Sequence, residues 1–331
     1  MGLVRRNMRA LLLLVIFVST LRAADESRFS FAALGCMPYG EANWPGFERV
    51  ISEINRHGPA FTVHCGDTKS GSEPPSDDFM LRILAAFNRF DHPLIYTPGD
   101  NEWTDVHRAN NGSQDPAVWL AKTRALYFAE ERSLGRTPIP LVTQRRDPRF
   151  SKFVENARWT VGGVVFATVH MVGSNNNNQP NVPGAVEEFR ERQDANIAWM
   201  KAAFDEAKAI HAPGIAFFFQ AGAFAQDFAR SGRDPGYKDF LDALEEMSLF
   251  FGKPVLLVHA DEHRFRLDYG HRFDRSAAPI PNVIRLETFG DKNLHATLVV
   301  VDPASAEVFL PMPLMVPGNP LPALARSPYS N

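Results

Sequence analysis

The sequence predicts an α/β fold, on three observations. The first is alternation. "RFSFAALG" (28–35), "FTVHCG" (61–66) and "PLIYTP" (93–98) are apolar, β-favouring runs separated by two amphipathic stretches. That β-α-β-α-β order calls for parallel strands joined by right-handed crossovers. The second is where the strands stop. Two of them deliver Gly-Asp at their C-terminal ends, Gly66-Asp67 and Gly99-Asp100, and open α/β sheets bind ligands at that edge. The third is the end of the chain, where "NVIRLETFG" and "HATLVVVD" read as strands.

The elements follow from periodicity and from their stop signals. Over 44–57, Phe47, Val50, Ile51 and Ile54 recur at helical spacing, and Gly58-Pro59 ends the run. A second amphipathic helix covers 77–90, and 116–132 reads as a third. The Pro- and Arg-rich stretch 133–157 reads as a surface loop. Residues 158–173 form a hairpin turning near Gly162-Gly163, and the polar loop "SNNNNQPN" leads into a long helix over about 184–210. "GIAFFFQAG" (214–222) and "PVLLVHADEH" (254–263) are buried strands around a helix at 239–251. No internal repeat or dividing linker is visible. The expectation is one domain over 24–331, with an irregular Pro-rich tail after about 311.

Composition excludes several classes. A hydrophobic fraction of 45%, a charged fraction of 22% and a net charge of −3 describe an ordinary globular chain with no basic tract for nucleic acid. Arg5, Arg6 and Arg9 precede "ALLLLVIFVSTL" (10–21), and Ala23-Ala24 follow. That is the pattern of a signal peptide over 1–23, and it predicts an exported, periplasmic or secreted protein. The apolar run is short of the roughly 20 residues of a spanning helix; an uncleaved anchor is the alternative. No membrane span is expected after leader removal, and oligomeric state is not legible. Cys36 and Cys65 lie on successive strands, within disulfide reach. A bond, an inert thiol pair and a functional Cys36 are all open. There is no Gly-x-Ser-x-Gly elbow, Walker sequence or Gly-x-Gly-x-x-Gly loop.

Polar residues collect at successive strand tips: Cys36, Asp67, Asp100, Gln220, Asp261 and His263. One such tip is ordinary turn chemistry. Several at one edge imply a site. With "HCGDTKSGS", "TPGDNEW" and "VHADEHRFRLD", the ordered series resembles the metallophosphoesterases, also called calcineurin-like phosphoesterases, over about residues 29–267. The resemblance implies a four-layer α/β/β/α sandwich and a phosphoester hydrolase whose divalent cations clamp phosphate and activate water. By the family pattern Asp67 bridges the cations and Asp100 stands at the usual Asn. Asn101 stands at the catalytic His, with Glu102 beside it. Gln220 stands at the isolated His, Asp261 at the first His of Gly-His-x-His, and His263 at the last. The first motif departs most, with Cys36 at the Asp and Pro38, which cannot ligate, at the His.

The resemblance therefore implies metal ligands Asp67, Asp100, Asp261, His263 and Gln220, with Cys36 and Glu102 as further candidates. No organic cofactor is implied. The set is oxygen-rich, which favours one or two ions of Mn²⁺, Mg²⁺ or Ca²⁺ over Fe or Zn. Asn101 cannot act as a general acid, so His259 and His64 are substitute candidates, and otherwise they are core histidines. His170 and the Asn run stand likewise between site and structure. Lys69 and Ser70 could meet an anion. Trp103 packs under the loop. The substrate would be a small or phosphorylated molecule. The alternative is a pseudoenzyme that keeps the fold, binds a ligand or partner and has lost hydrolysis.

Overall fold

The computed structural model describes residues 28–224, 234–273 and 278–322. The expected leader (1–23) lies outside the described residues. Two sheets stack face to face. The first has five strands in the order β12-β11-β1-β2-β3, the second seven in the order β4-β5-β6-β7-β8-β10-β9. In the first, β1 (Phe29–Leu34), β2 (Phe61–Cys65) and β3 (Leu94–Thr97) run parallel, as their alternation with helices α1 (Gly40–His57) and α2 (Asp77–Phe87) requires. β11 (Ala296–Val301) and β12 (Phe309–Leu314) extend it antiparallel.

In the second sheet β4 (Val142–Thr143), β5 (Ala157–Val161) and β6 (Val164–Thr168) form an antiparallel meander, with the β5–β6 turn at Gly162 and Gly163, both at positive φ. β6, β7 (Ile215–Phe218), β8 (Val255–His259) and β10 (Val283–Glu287) are parallel, and β9 (Arg266–Tyr269) closes the edge. Helices α3 (Pro116–Tyr127), α4 (Ala185–Ala209) and α5 (Lys238–Phe251) complete the main elements.

Strand parity makes the layers. Phe31, Phe61 and Ile95 of the first sheet meet Phe166, Phe218, Leu256 and Val258 of the second in one buried cluster. The opposite parity faces helices: Val165, Phe217 and Leu257 pack on α4 and α5, while Ala32, Leu34 and Tyr96 pack on α1 and α2. This is the four-layer α/β/β/α sandwich. Each fully buried Phe contributes roughly 1.5–3 kcal/mol relative to exposure.

Three local expectations are corrected. The stretch 133–157 is not a surface loop: it carries β4 and buries Leu141, Gln144, Phe153, Glu155 and Asn156. The third helix stops at Tyr127 rather than 132, because Ser133 and Leu134 are drawn into backbone bonds with Ile139 and Leu94. The Pro-rich end is regular through Leu314. Pro311 and Pro313 occupy alternate positions of edge strand β12, where a missing N–H costs no ladder bond. None of the described helices is long and apolar enough to cross a membrane.

Candidate metal centre

The parallel strands of both sheets point their C-terminal ends at one edge. β1 leads into Cys36, β2 into Asp67, β3 into Asp100, β7 into Gln220 and β8 into Asp261 and His263. Tight turns re-aim these side chains. Cys36, Asp67, Asp261 and His263 all adopt positive φ, at 52°, 57°, 84° and 62°. Each such residue costs on the order of 1–2 kcal/mol and persists only where its surroundings fix it, which is why these conformations gather at functional sites. The tips also close on one another. A Cβ on Gly99 would collide with the Asp67 carboxylate, and one on Gly173 with that of Asp100.

Two sets of ligand-type atoms result, each within 4.8 Å of one another. One is Asp67, Asp100 and Asp261; the other is Cys36, Asp67 and His263. Asp67 belongs to both. Its Oδ2 accepts from Tyr39 Oη (3.1 Å), Gln220 Nε2 (3.0 Å) and the Cys36 thiol (3.6 Å), and its Oδ1 from the Asn101 N–H (3.2 Å). Asp100 accepts from Gln220 Nε2 (3.2 Å) and Ser174 Oγ (2.7 Å), and Asp261 from the Gly222 N–H (2.8 Å).

The electrostatics are those of crowded, dehydrated anions. Burial, then the Asp100, Glu102 and Asp261 charges, push the Asp67 carboxyl well up. Asp261 is raised to about 8 and Asp105 to about 7, in both cases by burial first and Asp100 second. Burial also raises the Cys36 thiol and the Tyr39 phenol and lowers His263. Carboxylates whose neighbours are carboxylates fit a cation, which would replace protons there and supply Lewis-acid polarisation and activation of water.

The other candidates divide by position. Asn101 is at the cluster, where its Nδ2 donates to Tyr39 Oη at 3.0 Å. Glu102 is not among the converging atoms. It joins the β2 and β3 tips, accepting from the N–H groups of Thr68 (2.6 Å) and Gly99 (3.0 Å) and from Tyr96 Oη (3.0 Å). His259 is not brought to the cluster. It follows the parity of Leu257, so its ring lies on the helix side, stacked on Phe219 with centroids 5.8 Å apart. His64 lies among Phe47, Phe87 and Tyr96, and His170 is bonded to Glu155 at 2.7 Å.

Lys69 bonds Asn111 and Ser70 O. Cys36 and Cys65 are free thiols. Trp103 is buried, packed on Trp119 and Leu120.

Gln220 does not offer a ligand atom. Its Oε1 accepts from the Gly173 N–H at 2.6 Å. A backbone N–H only donates, so the amide orientation is fixed and the NH₂ faces Asp67 and Asp100. An NH₂ donor cannot bind a cation.

Three residues at the site escaped sequence reasoning. Tyr39 lies between Asp67 and His263, 3.4 Å from His263 Nε2. Ser174 spans Asp100 and Asp105 (2.7 Å to each) from a helical turn, Gly173–Asn176, that is left-handed at Ser174, Asn175 and Asn176. Asp105, the last letter of "LIYTPGDNEWTD", stands five residues after Asp100. The Asn run was a signal, but its serine makes the contact.

No family model matches the sequence, and no curated protein does. Solved structures match in fold. The structure of PhoD superposes with a TM-score of 0.52 and 12% identity, over 83% of this chain and 64% of that one. GAP50, "the anchor in the inner membrane complex of Plasmodium", gives 0.49 and 11% over 88% and 90% of the two chains. Purple acid phosphatase PPD1 from yellow lupin gives 0.48 and 10% over 90% and 57%. The chain has a metallophosphoesterase-type fold, divergent in sequence.

Proposed function

We propose that the chain is an exported, metal-dependent phosphoesterase. The observation that supports this best is the pair of ligand groups sharing Asp67, at the strand tips of a metallophosphoesterase-type fold. Asp67, Asp100, Asp261 and His263 are the residues that would hold divalent metal. Asn101, on the wall beside Tyr39, donates to a phosphoryl oxygen but carries no titratable proton at neutral pH. Water is then both nucleophile and the proton source for the leaving group. The substrate is a small phosphorylated molecule. The test is metal content of chain purified without chelator, followed by a phosphomonoester and phosphodiester screen with each of Mn²⁺, Mg²⁺, Zn²⁺ and Fe²⁺. Bound metal and metal-dependent release of phosphate are expected. Binding without turnover on any ester would favour the second reading, a ligand-binding pseudoenzyme, which the Gln220 amide facing the carboxylates and Pro38 in place of a ligand support.

Export rests on the basic-apolar-small pattern of residues 1–23. The mass of the chain recovered outside the cytoplasm should correspond to a start near Ala24. An intact N-terminus there would indicate an uncleaved anchor.

A further inference from the structure

The two ligand groups differ in chemistry, and the difference decides what each holds. In the first, the neutral Gln220 amide already sits between Asp67 and Asp100, with its hydrogens toward both. Its orientation is locked by the Gly173 N–H on its oxygen. A cation shared by those oxygens would meet N–H dipoles of the wrong sign. The second group offers sulfur, imidazole nitrogen and carboxylate oxygen, and the Tyr39 phenol oxygen lies against it. The separations are 3.6 Å for Cys36 Sγ to Asp67 Oδ2, 3.1 Å for Tyr39 Oη to Asp67 Oδ2, and 3.4 Å for Tyr39 Oη to His263 Nε2. The edges of a tetrahedron built on ordinary zinc bond lengths are about 3.3–3.5 Å.

The donors are also held from behind. The Asp261 N–H donates to Cys36 Sγ at 3.1 Å, the Asn101 amide to Tyr39 Oη at 3.0 Å, and the Asn101 N–H to Asp67 Oδ1 at 3.2 Å. Such outer contacts orient metal ligands. Gly290 closes the pocket wall: a Cβ there would lie 2.9 Å from the His263 ring and 3.0 Å from Cys36 Cβ.

We infer that the chain holds a single thiolate-bound cation of zinc type at Cys36, Tyr39, Asp67 and His263, and that the Gln220 amide takes the place of a second cation. The inference rests on the metal-dependent reading above, replaces Asp100 and Asp261 in that ligand set by Cys36 and Tyr39, and changes the expected metal from oxygen-loving ions to zinc. Loading releases the Cys36 proton, because a coordinated thiol is deprotonated.

The experiment uses the mature chain, stripped with chelator and equilibrated with an equimolar mixture of Zn²⁺, Mn²⁺ and Mg²⁺, then with Co²⁺ alone as a spectroscopic probe. One equivalent of zinc per chain is expected. The cobalt form should show a near-ultraviolet thiolate-to-metal absorption that is lost in Cys36→Ser, kept in Cys65→Ala and reduced in intensity or shifted in Tyr39→Phe. Gln220→His should raise the stoichiometry to two. Two equivalents in the wild type, preference for Mn²⁺ or Mg²⁺, or cobalt bound without the thiolate band would each overturn the inference while leaving a metal site in place. If no cation binds at all, the metal-dependent reading fails with it. The wild-type cobalt spectrum decides the thiolate question even if Cys36→Ser does not fold.

Discussion

Asp67→Asn is expected to abolish metal binding and phosphoester hydrolysis while leaving the fold intact. Asp67 is the one residue common to both ligand groups, so its loss cannot be covered by a neighbour. Activity should fall by more than about 100-fold, the upper range seen when a residue that merely orients a metal ligand is lost. The fold should survive for an electrostatic reason. The Asp67 carboxylate is buried beside Asp100, Glu102 and Asp261, and these charges disfavour its ionised form. Replacing it with a neutral isostere removes repulsion. It also removes acceptors: with Oδ1 kept toward the Asn101 N–H, the new NH₂ would face the Gln220 NH₂ and the Tyr39 hydroxyl. The two effects oppose. The metal-free variant should melt within a few degrees of metal-free wild type, by calorimetry, while its metal content drops to background. A variant that stays fully active would sink the assignment of Asp67. One that fails to fold would show that Asp67 is chiefly structural.

Much of this arrangement was legible because it is a property of short segments. Apolar runs ending in Gly-Asp gave the strands and their tips, and helical spacing gave α1 and α2. Asp67, Asp100, Asp261 and His263 converge because parallel strands share one C-terminal edge. What was not legible depends on direction and on partners. His259 precedes a tip, but alternation along β8 turns it toward Phe219. Gln220 reaches the cluster, but which end of its amide faces the carboxylates is set by Gly173, 47 positions away. Tyr39 carries no motif at all; its phenol becomes a site residue only because the β1 tip folds back on Asp67 and His263. The same limit applies to β12, whose prolines read as a break until an edge position makes them harmless.

The metal-free chain should lose stability as pH rises from about 6.5 to 8.5, the reverse of the usual carboxylate behaviour. In an unfolded chain an Asp titrates near about 3.9. In the fold Asp105 is raised to about 7 and Asp261 to about 8, and Asp67 is raised as well. A raised folded pKa means that the native state holds its proton more tightly. That contribution is complete below the unfolded value and disappears as pH climbs through the folded one. The buried histidines act in a different window. Burial lowers His64 to about 4 and His259 to about 3, so what they contribute is present above about 6.5 and is lost only in acid. Between 6.5 and 8.5 the carboxylates therefore act without opposition from these histidines. Allowing for solvent screening at Asp261, the loss should be about 1–2 kcal/mol, a fall in Tm of several degrees. Asp100→Asn should flatten the slope, because Asp100 is the leading charge acting on both Asp105 and Asp261. Saturating zinc should invert it, since a cation competes with protons and binds better as they leave. Melting curves in chelator and in zinc across this range give the answer. A metal-free Tm that rises toward pH 8.5 would mean that the carboxylates are already ionised and solvated, and that the crowding of anions on which the metal reading leans is absent.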